Sequence, residues 1–315
     1  MNLLYMDSIA GTQTAIMYQY YNGLYAALSK KHNCFLWGKK ISSIEPLLKI
    51  CPFLPDVIVF GIGWEYFEEI EGLDSVDIPI IFFVFKPQIS IDKKLNFCLK
   101  SKARLILSSI PDYHSYQQKT GIESRRFCYA VDESVFYPRD SSKIYDVGFS
   151  GALHDNKLYQ KNAFTTLNIR SRIQEMLLQN KNLKTMLNGS DSVAPRIRDY
   201  NQYAKTMSEC KIWFATQAAF GDITPRYFEV PMSGTLLLCS SIPDSYRDIF
   251  RNGENCVEFD NDLSNFNDKL DYSLNNWERI SEKAQKEFRS KHTWDIRAEE
   301  LTKIAIEIGA NNASK

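Results

Sequence analysis

The stretch GDITPRYFEVPMSGTLLL, Gly221–Leu238, contains the signals of a helix start, a helix end and a buried strand in direct succession. Thr224 precedes Pro225, and this order predicts a helix start, since threonine can cap a helix and proline is favoured in its first turn. Ser233–Gly234 predicts the end of that helix. The apolar run that follows is typical of a strand buried on both faces. The stretch therefore predicts a unit of an α/β fold with a parallel sheet.

Two charged residues in the predicted helix carry the chemistry of this stretch. Arg226 lies in the first turn, where free backbone N–H groups and the positive end of the helix dipole favour a phosphate, and its guanidinium can add a bidentate contact. Glu229 follows three residues later on the same face, where its carboxylate can accept hydrogen bonds from ribose hydroxyls. The spacing equally allows a second interpretation, in which Arg226 and Glu229 simply pair on the helix surface.

The first half of the chain combines short apolar runs with an amphipathic segment. From Thr14 to Lys31, apolar residues recur at spacings of three and four, which predicts a helix with one buried face. The apolar runs lack polar alternation, as expected of strands that are covered on both faces. The predicted strands are Leu3–Met6, Cys34–Trp37, Val57–Phe60, Ile80–Phe85, Arg104–Leu107 and Phe127–Ala130.

A second series of apolar runs and helical segments begins after Val131–Ser142, a polar segment with a proline that we interpret as a connection between domains. Its predicted strands are Tyr145–Phe149, Leu183–Leu187, Ile212–Ala215, Thr235–Cys239 and Val257–Phe259. Its predicted helices are Leu158–Asn180, Ile197–Glu209, Pro225–Ser233, Pro243–Phe250, Leu263–Asn275, Trp277–Ser290 and Asp295–Ile308. The predicted fold class is α/β, with two tandem doubly wound, Rossmann-like domains and a ligand site in the cleft between them.

The overall composition narrows the class of protein. The 315 residues include 38 basic and 38 acidic side chains, and this zero net charge disfavours a nucleic-acid-coating surface. The seven cysteines contain no C-x-x-C pair, which disfavours a disulfide framework and a zinc site and suggests a reducing compartment. We expect a cytoplasmic protein, because the sequence shows no apolar run of membrane-spanning length and no signal peptide.

In the order and spacing of its elements, Tyr200–Leu301 resembles the C-terminal half of GT-B glycosyltransferases, especially the group related to the spore-maturation glycosyltransferase-like proteins. The segments that carry this resemblance are Arg226–Glu229, Ser233–Gly234, Thr235–Cys239, Ile242–Phe250, Gly253–Asn255, Val257–Phe259 and His292–Trp294. Two earlier segments also fit: Val131–Pro138 resembles the link between the two halves of these enzymes, and Tyr145–Gly151 resembles the first strand and glycine turn of the second half.

The resemblance implies a glycosyltransferase with an acceptor domain at 1–138, a nucleotide-sugar domain at 139–293 and a closing helix at 294–315 that crosses back to the first domain. It implies a nucleoside-diphosphate-sugar donor and neither cofactor nor metal, because this fold neutralises the leaving diphosphate with helix dipoles and basic side chains. The donor-binding residues that it implies are Gly148, Gly151, Arg170 (or Arg172 in its place), Thr224, Arg226, Tyr227 and Glu229.

An inverting enzyme of this kind needs a general base near the acceptor hydroxyl, whereas a retaining enzyme needs none in the usual sense. The candidates follow predicted strands of the first half: Asp7, Glu65 and His114. Each also has a purely structural interpretation, as a loop cap, a solvated acid and a surface residue. The acceptor-side candidates are Gly11 and Thr12 in the first loop, Trp64 as a stacking platform, and Lys86, which stands where some relatives have an aspartate.

Several alternatives remain open at this point. Gly221 stands where many GT-B enzymes have a glutamate that contacts the donor sugar, and the neighbouring Asp222 is a possible substitute. A nucleotide-sugar epimerase, a non-catalytic nucleotide-sugar- or partner-binding module, and a glycosyltransferase acting on modified DNA bases are the competing functions. The Asp-x-Asp motif Asp260–Asp262, typical of metal sites in another glycosyltransferase fold, is better explained by Asp262 capping a helix. The acceptor is expected to be a glycan, a protein or a small molecule, and the oligomeric state stays open.

Overall fold

The chain folds into two compact units in the computed structural model, which describes residues 1–10, 18–64, 68–86, 89–139, 142–151, 166–189, 197, 199–218 and 221–313. The first unit consists of Met1–Cys128 together with Trp294–Lys315, and the second consists of Tyr129–Thr293. The C-terminal segment therefore belongs to the first unit.

Unit 1 is built on a six-stranded parallel sheet with the strand order β2-β1-β3-β4-β5-β6. Its strands are β1 (Asn2–Met6), β2 (Asn33–Trp37), β3 (Val57–Phe60), β4 (Ile80–Phe83), β5 (Leu105–Ser108) and β6 (Ser124–Arg126). Its helices are α1 (Tyr18–Ser29), α2 (Glu45–Ile50), α3 (Ile91–Lys100), α4 (His114–Thr120) and, at the end of the chain, α9 (Trp294–Ala313). The central strands β1, β3, β4 and β5 are fully buried, or nearly so, as their unbroken apolar runs predict.

The last helix is tied to unit 1 by packing and by charge. Trp294 lies so close to Gly23 of α1 that any side chain at this position would overlap its indole ring. Two exposed ion pairs also link the residues after α1 to α9: Lys30 pairs with Asp295, and Lys31 pairs with Glu299. Each exposed pair contributes little to stability, so the docking of α9 rests mainly on the apolar contact along α1.

Unit 2 has a five-stranded parallel sheet with the strand order β11-β10-β9-β7-β8. Its strands are β7 (Tyr145–Gly151), β8 (Thr185–Gly189), β9 (Cys210–Ala215), β10 (Leu236–Ser240) and β11 (Val257–Phe259). Its helices are α5 (Thr166–Gln179), α6 (Tyr200–Ser208), α7 (Arg226–Met232) and α8 (Phe266–Lys291). Both units thus have the doubly wound parallel architecture that the alternation of runs and helices predicts, and the α/β fold class is confirmed.

The structure corrects three predicted elements. The predicted strand Phe127–Ala130 is wrong, because β6 ends at Arg126, which pairs with Ser108, the last residue of β5. The two helices predicted between Leu263 and Ser290 are one continuous helix, α8, since nothing at Asn275–Asn276 interrupts it. The helix predicted over Pro243–Phe250 is limited to one 3₁₀ turn.

Candidate functional site

The strand order of unit 2 reverses its direction of winding at β7. The chain runs from β7 outward to β8 and then crosses to β9 on the other side of β7, so β7 and β9 are the strands at which the winding reverses. In open parallel sheets, ligands bind at such a reversal, outside the carboxyl ends of the two strands. Here these ends are Gly151 of β7 and Ala215 of β9.

The guanidinium of Arg226 lies near the carboxyl end of β7. Its Nη2 donates a hydrogen bond of 2.9 Å to the carbonyl oxygen of Ser150, and its Nε donates one of 3.1 Å to the hydroxyl of Tyr203. Both acceptors are uncharged, so neither neutralises the cation. Gly151 leaves room for it, because a Cβ there would come within 3.2 Å of Nη2. The predicted site residues Gly151 and Arg226 are thus neighbours.

Arg170 reaches the same edge from α5. It is buried, and its Nε donates a hydrogen bond of 2.7 Å to Oγ1 of Thr216, the residue that follows β9. The guanidinium carbons of Arg170 and Arg226 lie 5.8 and 5.4 Å from the centre of the Phe149 ring. Two cations therefore converge on one aromatic ring near the end of β7, which favours binding of an anion with more than one negative charge.

The carboxyl group of Glu229 is buried one helical turn beyond Arg226, with 7% of the residue exposed. The Tyr200 hydroxyl donates a hydrogen bond of 3.4 Å to its Oε1. Burial raises the pKa of Glu229 to about 7, although Arg226 and the nearby hydroxyls of Tyr200 and Tyr203 act in the opposite direction. The structure therefore does not contain the surface ion pair between Arg226 and Glu229. Instead, each residue contacts a tyrosine of α6: Glu229 contacts Tyr200, and Arg226 contacts Tyr203.

The segment before α7 differs from the predicted cap. Helix α7 begins at Arg226, and Thr224 makes no side-chain cap; its carbonyl oxygen accepts a hydrogen bond from the N–H of Tyr227. The Oγ1 of Thr224 and the Oδ1 of Asp222 are both buried, and neither has a hydrogen-bond partner among the residues that the structure describes. Burial raises the pKa of Asp222 to about 7. Buried polar atoms in native proteins normally have partners, so these two atoms are suited to a polar ligand.

Two of the predicted donor-binding residues have structural roles instead. Gly148 lies inside β7, and a Cβ there would come within 2.5 Å of the Cys210 sulfur and 2.6 Å of the Trp213 ring. Its lack of a side chain thus serves packing against β9 rather than the approach of a phosphate. Tyr227 is fully buried, with its hydroxyl 3.3 Å from Oγ of Ser240 and its ring edge-on to Phe250. Both assignments to the donor site are corrected.

In unit 1, Asp7 has the structural role of a loop cap. Its Oδ1 accepts hydrogen bonds from the backbone N–H groups of Ile9 (2.8 Å) and Ala10 (2.9 Å), and its Oδ2 accepts one of 2.9 Å from Gly63. The carboxylate thus joins the loops after β1 and β3. Because both of its oxygens already accept backbone hydrogen bonds, Asp7 is corrected from catalytic base to loop cap.

The other residues predicted in unit 1 are scattered. Trp64 is 4% exposed and packs edge-on against Phe60 at a ring distance of 5.3 Å, so the expected exposed platform is corrected to a core position. Lys86, just beyond β4, donates a hydrogen bond of 2.9 Å to the hydroxyl of Tyr21. His114 is exposed at the start of α4, beside the ring of Tyr113. Three predicted residues, Gly11, Thr12 and Glu65, lie outside the described residues.

Sequence reasoning missed the two tyrosines of α6. Tyr200 and Tyr203 stand three residues apart in a segment correctly predicted as helical, so their side chains share a face. This spacing was the available signal. It could not reveal that the face meets Arg226 and Glu229, because that contact depends on how α6 packs beside α7.

Among the residues that the structure describes, no group of three or more His, Cys, Asp or Glu side chains is arranged to hold a metal ion. Asp260 accepts a hydrogen bond from the side chain of Asn265, and Asp262 accepts one from the backbone of Ser264. Asp262 thus caps a turn, whereas α8 begins only at Phe266. Among the same residues, none of the helices has the length and apolarity required to span a bilayer.

Comparison with known proteins agrees with this geometry. Residues 170–303 match the family model described as "Glycosyl transferase-like", and this range contains Arg170, Arg226 and Glu229. No curated protein matches the sequence.

Solved structures resemble the whole chain. A sucrose-phosphate synthase from Thermosynechococcus elongatus aligns with 9% identity over 99% of this chain and 100% of its own, with a TM-score of 0.64. HepE from Anabaena, in a complex with UDP-glucose, aligns with 10% identity over 98% and 100%, with a TM-score of 0.60. A glycosyltransferase from Rickettsia africae aligns with 12% identity over 98% of both chains, with a TM-score of 0.60.

These similarities define the class of protein. The chain has the GT-B fold, and residues 170–303 in its second half match a glycosyltransferase-like domain, which supports an enzyme of that class. The predictions of fold and enzyme class are thereby confirmed. The narrower resemblance to the spore-maturation group stays a prediction.

Proposed function

We propose that the chain transfers a sugar from a nucleoside-diphosphate-sugar donor to an acceptor, and that the donor binds at the carboxyl ends of β7 and β9 in unit 2. The observation that carries this proposal is the convergence of Arg170 and Arg226 on the Phe149 ring, with both hydrogen bonds of Arg226 going to uncharged oxygens. A diphosphate supplies the two or more negative charges that such a pair attracts. HepE, a structural neighbour, is described with UDP-glucose, which makes uridine nucleotides the first probes.

Each polar group of the site has a proposed role. Arg170 and Arg226 bind the diphosphate and stabilise the charge that develops on it as the sugar leaves, without a metal. Glu229, once ionised, accepts hydrogen bonds from the ribose hydroxyls. The unpartnered oxygens of Asp222 and Thr224 bind hydroxyls of the donor sugar.

Unit 1 is proposed to bind the acceptor, which we expect to be a glycan, a protein or a small molecule. Since Asp7 is a loop cap, His114 is the described residue that stays a candidate for the general base, because it is exposed at the start of α4, the helix that follows β5. Lys86, also exposed, stays a candidate for acceptor contacts. A cytoplasmic location is the corresponding expectation for an enzyme that uses nucleotide sugars.

Calorimetric titration with UDP and UDP-glucose tests the donor site. Replacing Arg226 by alanine should weaken binding about 10- to 100-fold, the effect of losing one charge-assisted hydrogen-bonding group. Arg125→Ala is a matched control, because this arginine lies in unit 1, where it pairs with Glu123 and Glu307. Equal affinity of Arg226→Ala and the wild type would refute the assignment. A thermal-shift panel of other nucleoside diphosphates covers the case of a different base, and the absence of any stabilisation across it would refute the function itself.

A non-catalytic nucleotide-sugar-binding module is the second candidate. It is favoured by Gly221, whose φ of +75° is a left-handed conformation that a glutamate in its place would adopt only with strain. Release of UDP from UDP-glucose distinguishes the two functions. Nucleotide release that depends on an added acceptor supports the transferase, whereas tight binding without release over a broad acceptor panel supports the binding module.

A further inference from the structure

The turn that follows β4 in unit 1 is held in a strained conformation. Lys86 has a φ of +52°, a left-handed value that is unfavourable for a residue with a side chain. The hydroxyl of Ser108 donates a hydrogen bond of 2.5 Å to the carbonyl oxygen of Val84. The buried ammonium of Lys94 donates bonds of 2.6 and 3.1 Å to the carbonyl oxygens of Phe85 and Lys86. Side chains from β5 and α3 thus fix three successive carbonyl groups of this turn.

The side chain of Lys86 is also held in one place. Its Nζ donates a hydrogen bond of 2.9 Å to the hydroxyl of Tyr21 and lies 5.5 Å from the centre of the Tyr21 ring. Tyr21 belongs to α1 and is 3% exposed, whereas Lys86 is exposed, so a buried phenol holds the ammonium at the surface. This partner is uncharged, and no carboxylate among the described residues forms an ion pair with Lys86. Two of the three N–H groups of the ammonium therefore remain for a ligand.

We propose that Lys86 is the centre of an anion-binding subsite in unit 1. On the basis of the function proposed above, the acceptor then carries a phosphate or a carboxylate group, and Lys86 binds that group. Lys86 lies just beyond β4, at the carboxyl edge of the sheet, which is the edge at which ligands bind in parallel α/β sheets. Charge-assisted hydrogen bonds from an ammonium are the contacts that a phosphate or carboxylate prefers.

The fixed position of Lys86 is what makes it suited to an anion. A lysine on a free surface loses side-chain freedom when it binds a ligand, and this loss weakens binding. Here the buried Tyr21 and the hydrogen bonds to the turn restrict the ammonium before any ligand arrives. A left-handed lysine persists only where its surroundings enforce it, and such positions cluster at functional sites. Tyr21 and Lys94 therefore act as positioning residues, and Lys86 is the group that contacts the anion.

Thermal-shift titration with inorganic phosphate tests the subsite. UDP is kept at saturation to occupy the site of unit 2, and chloride at equal ionic strength is the blank. We expect phosphate to raise the Tm of the wild type, and Lys86→Gln to weaken the phosphate affinity by about 10-fold or more, the effect of losing one charge-assisted hydrogen-bonding group. Lys86→Arg should retain phosphate binding, because it keeps the charge.

Lys102→Gln is the matched control. Lys102 is also exposed and left-handed, with a φ of +51°, and it lies in the same unit. It precedes β5, however, and therefore lies at the opposite, amino edge of the sheet. We expect the Tm of Lys102→Gln to respond to phosphate as the wild type does. An equal loss in Lys102→Gln and Lys86→Gln would show a general charge effect and overturn the subsite.

Tyr21→Phe tests the positioning role. It keeps the ring beside the ammonium and removes the hydroxyl that fixes Nζ, so phosphate should bind about 2- to 10-fold more weakly. In a Lys86→Gln background the same substitution should have no further effect, because the two residues act through one contact. Equal factors in the two backgrounds would overturn the positioning of Lys86 by Tyr21.

Three sugars identify the anionic group: glucose, glucose 6-phosphate and glucuronate, each added to the UDP-saturated protein. A rise in Tm that depends on Lys86 and is larger for glucose 6-phosphate indicates a phosphate, and one that is larger for glucuronate indicates a carboxylate. Phosphate binding that is equal in the wild type and Lys86→Gln, or absent from both, would overturn the subsite and leave the donor site intact. Failure of UDP to bind would instead overturn the proposed donor, and the same comparison of variants without nucleotide would still test the subsite.

Discussion

Replacing Glu229 by glutamine should make the protein more stable at pH 8 while weakening its donor binding. The pKa of Glu229 is raised by burial from its ordinary value of 4.5 to about 7, so the folded protein retains a proton that the unfolded chain releases. The wild type therefore loses stability as the pH rises from 4.5 to 7, and above pH 7 this loss is complete. A difference of roughly 2.5 pKa units corresponds to about 3 kcal/mol.

Scanning calorimetry without nucleotide measures this effect. Glutamine can still accept the hydrogen bond from Tyr200 but carries no charge, so the loss of stability above pH 7 should disappear. For a unit of the size of residues 129–293, about 3 kcal/mol corresponds to an increase in Tm of roughly 6–12 °C at pH 8. Near pH 4.5 the difference between the two proteins should be close to zero.

Glu287→Gln is a control of opposite sign in the same unit. Burial alone would raise the pKa of Glu287, but hydrogen bonds from Arg251, Lys291 and Asn255 lower it to about 2. This carboxylate therefore contributes stability above pH 4.5, which is lost as the pH falls toward 2, and its replacement should lower the Tm at pH 7. If Glu287→Gln behaves in this way and Glu229→Gln fails to raise the Tm at pH 8, the reasoning about the buried carboxyl of Glu229 is refuted.

Two further predictions concern Asp7 and Gly148, which have structural roles in the loops of unit 1 and in the packing of β7. Asp7→Asn should destabilise unit 1 by about 1–3 kcal/mol in urea unfolding, because the amide N–H of asparagine would face a backbone N–H, such as that of Gly63, that now donates to the carboxylate. UDP affinity should not change, and a large loss of UDP binding would contradict the structural role. Gly148→Ala should cost about 1–3 kcal/mol through overlap with Cys210, whereas Gly309→Ala, on an open face of α9, should be neutral or stabilising; equal stability of the two variants would contradict the packing role.

Local sequence patterns predicted most of the secondary structure. They failed where a strand depends on a neighbouring strand to pair with. The strands Val57–Phe60 and Val257–Phe259 have the predicted bounds, because an apolar run between polar residues is visible in the sequence. Phe127–Ala130 is equally apolar and is not a strand, since the ladder with β5 ends at Ser108. Sequence patterns also left α2, α3 and α4 unassigned. A strand needs a neighbour as well as a suitable composition, and composition alone does not identify that neighbour.

The site divides in the same way. The spacing of Arg226 and Glu229 predicted that both lie on one face of a helix and indicated phosphate and ribose chemistry. Gly151, predicted for the same site, lies beside the guanidinium of Arg226. In the sequence, Gly148 looked equally suited to the approach of a phosphate. Only its position within β7, against Cys210 and Trp213, shows that its lack of a side chain serves packing. Trp64 looked like an exposed ring and lies in the core.

By itself, the sequence determined the class of architecture, because buried apolar runs separated by amphipathic helices are stable only in parallel sheets covered on both faces. It also determined which residues carry charge near the start of α7. Only the tertiary structure decided which groups contact those charged side chains. The crossing from β8 to β9 places Ser150, Tyr203 and Arg226 at one edge of the sheet, although they are far apart along the chain. Strand order is set by the packing of the whole unit, and no local pattern of residues encodes it.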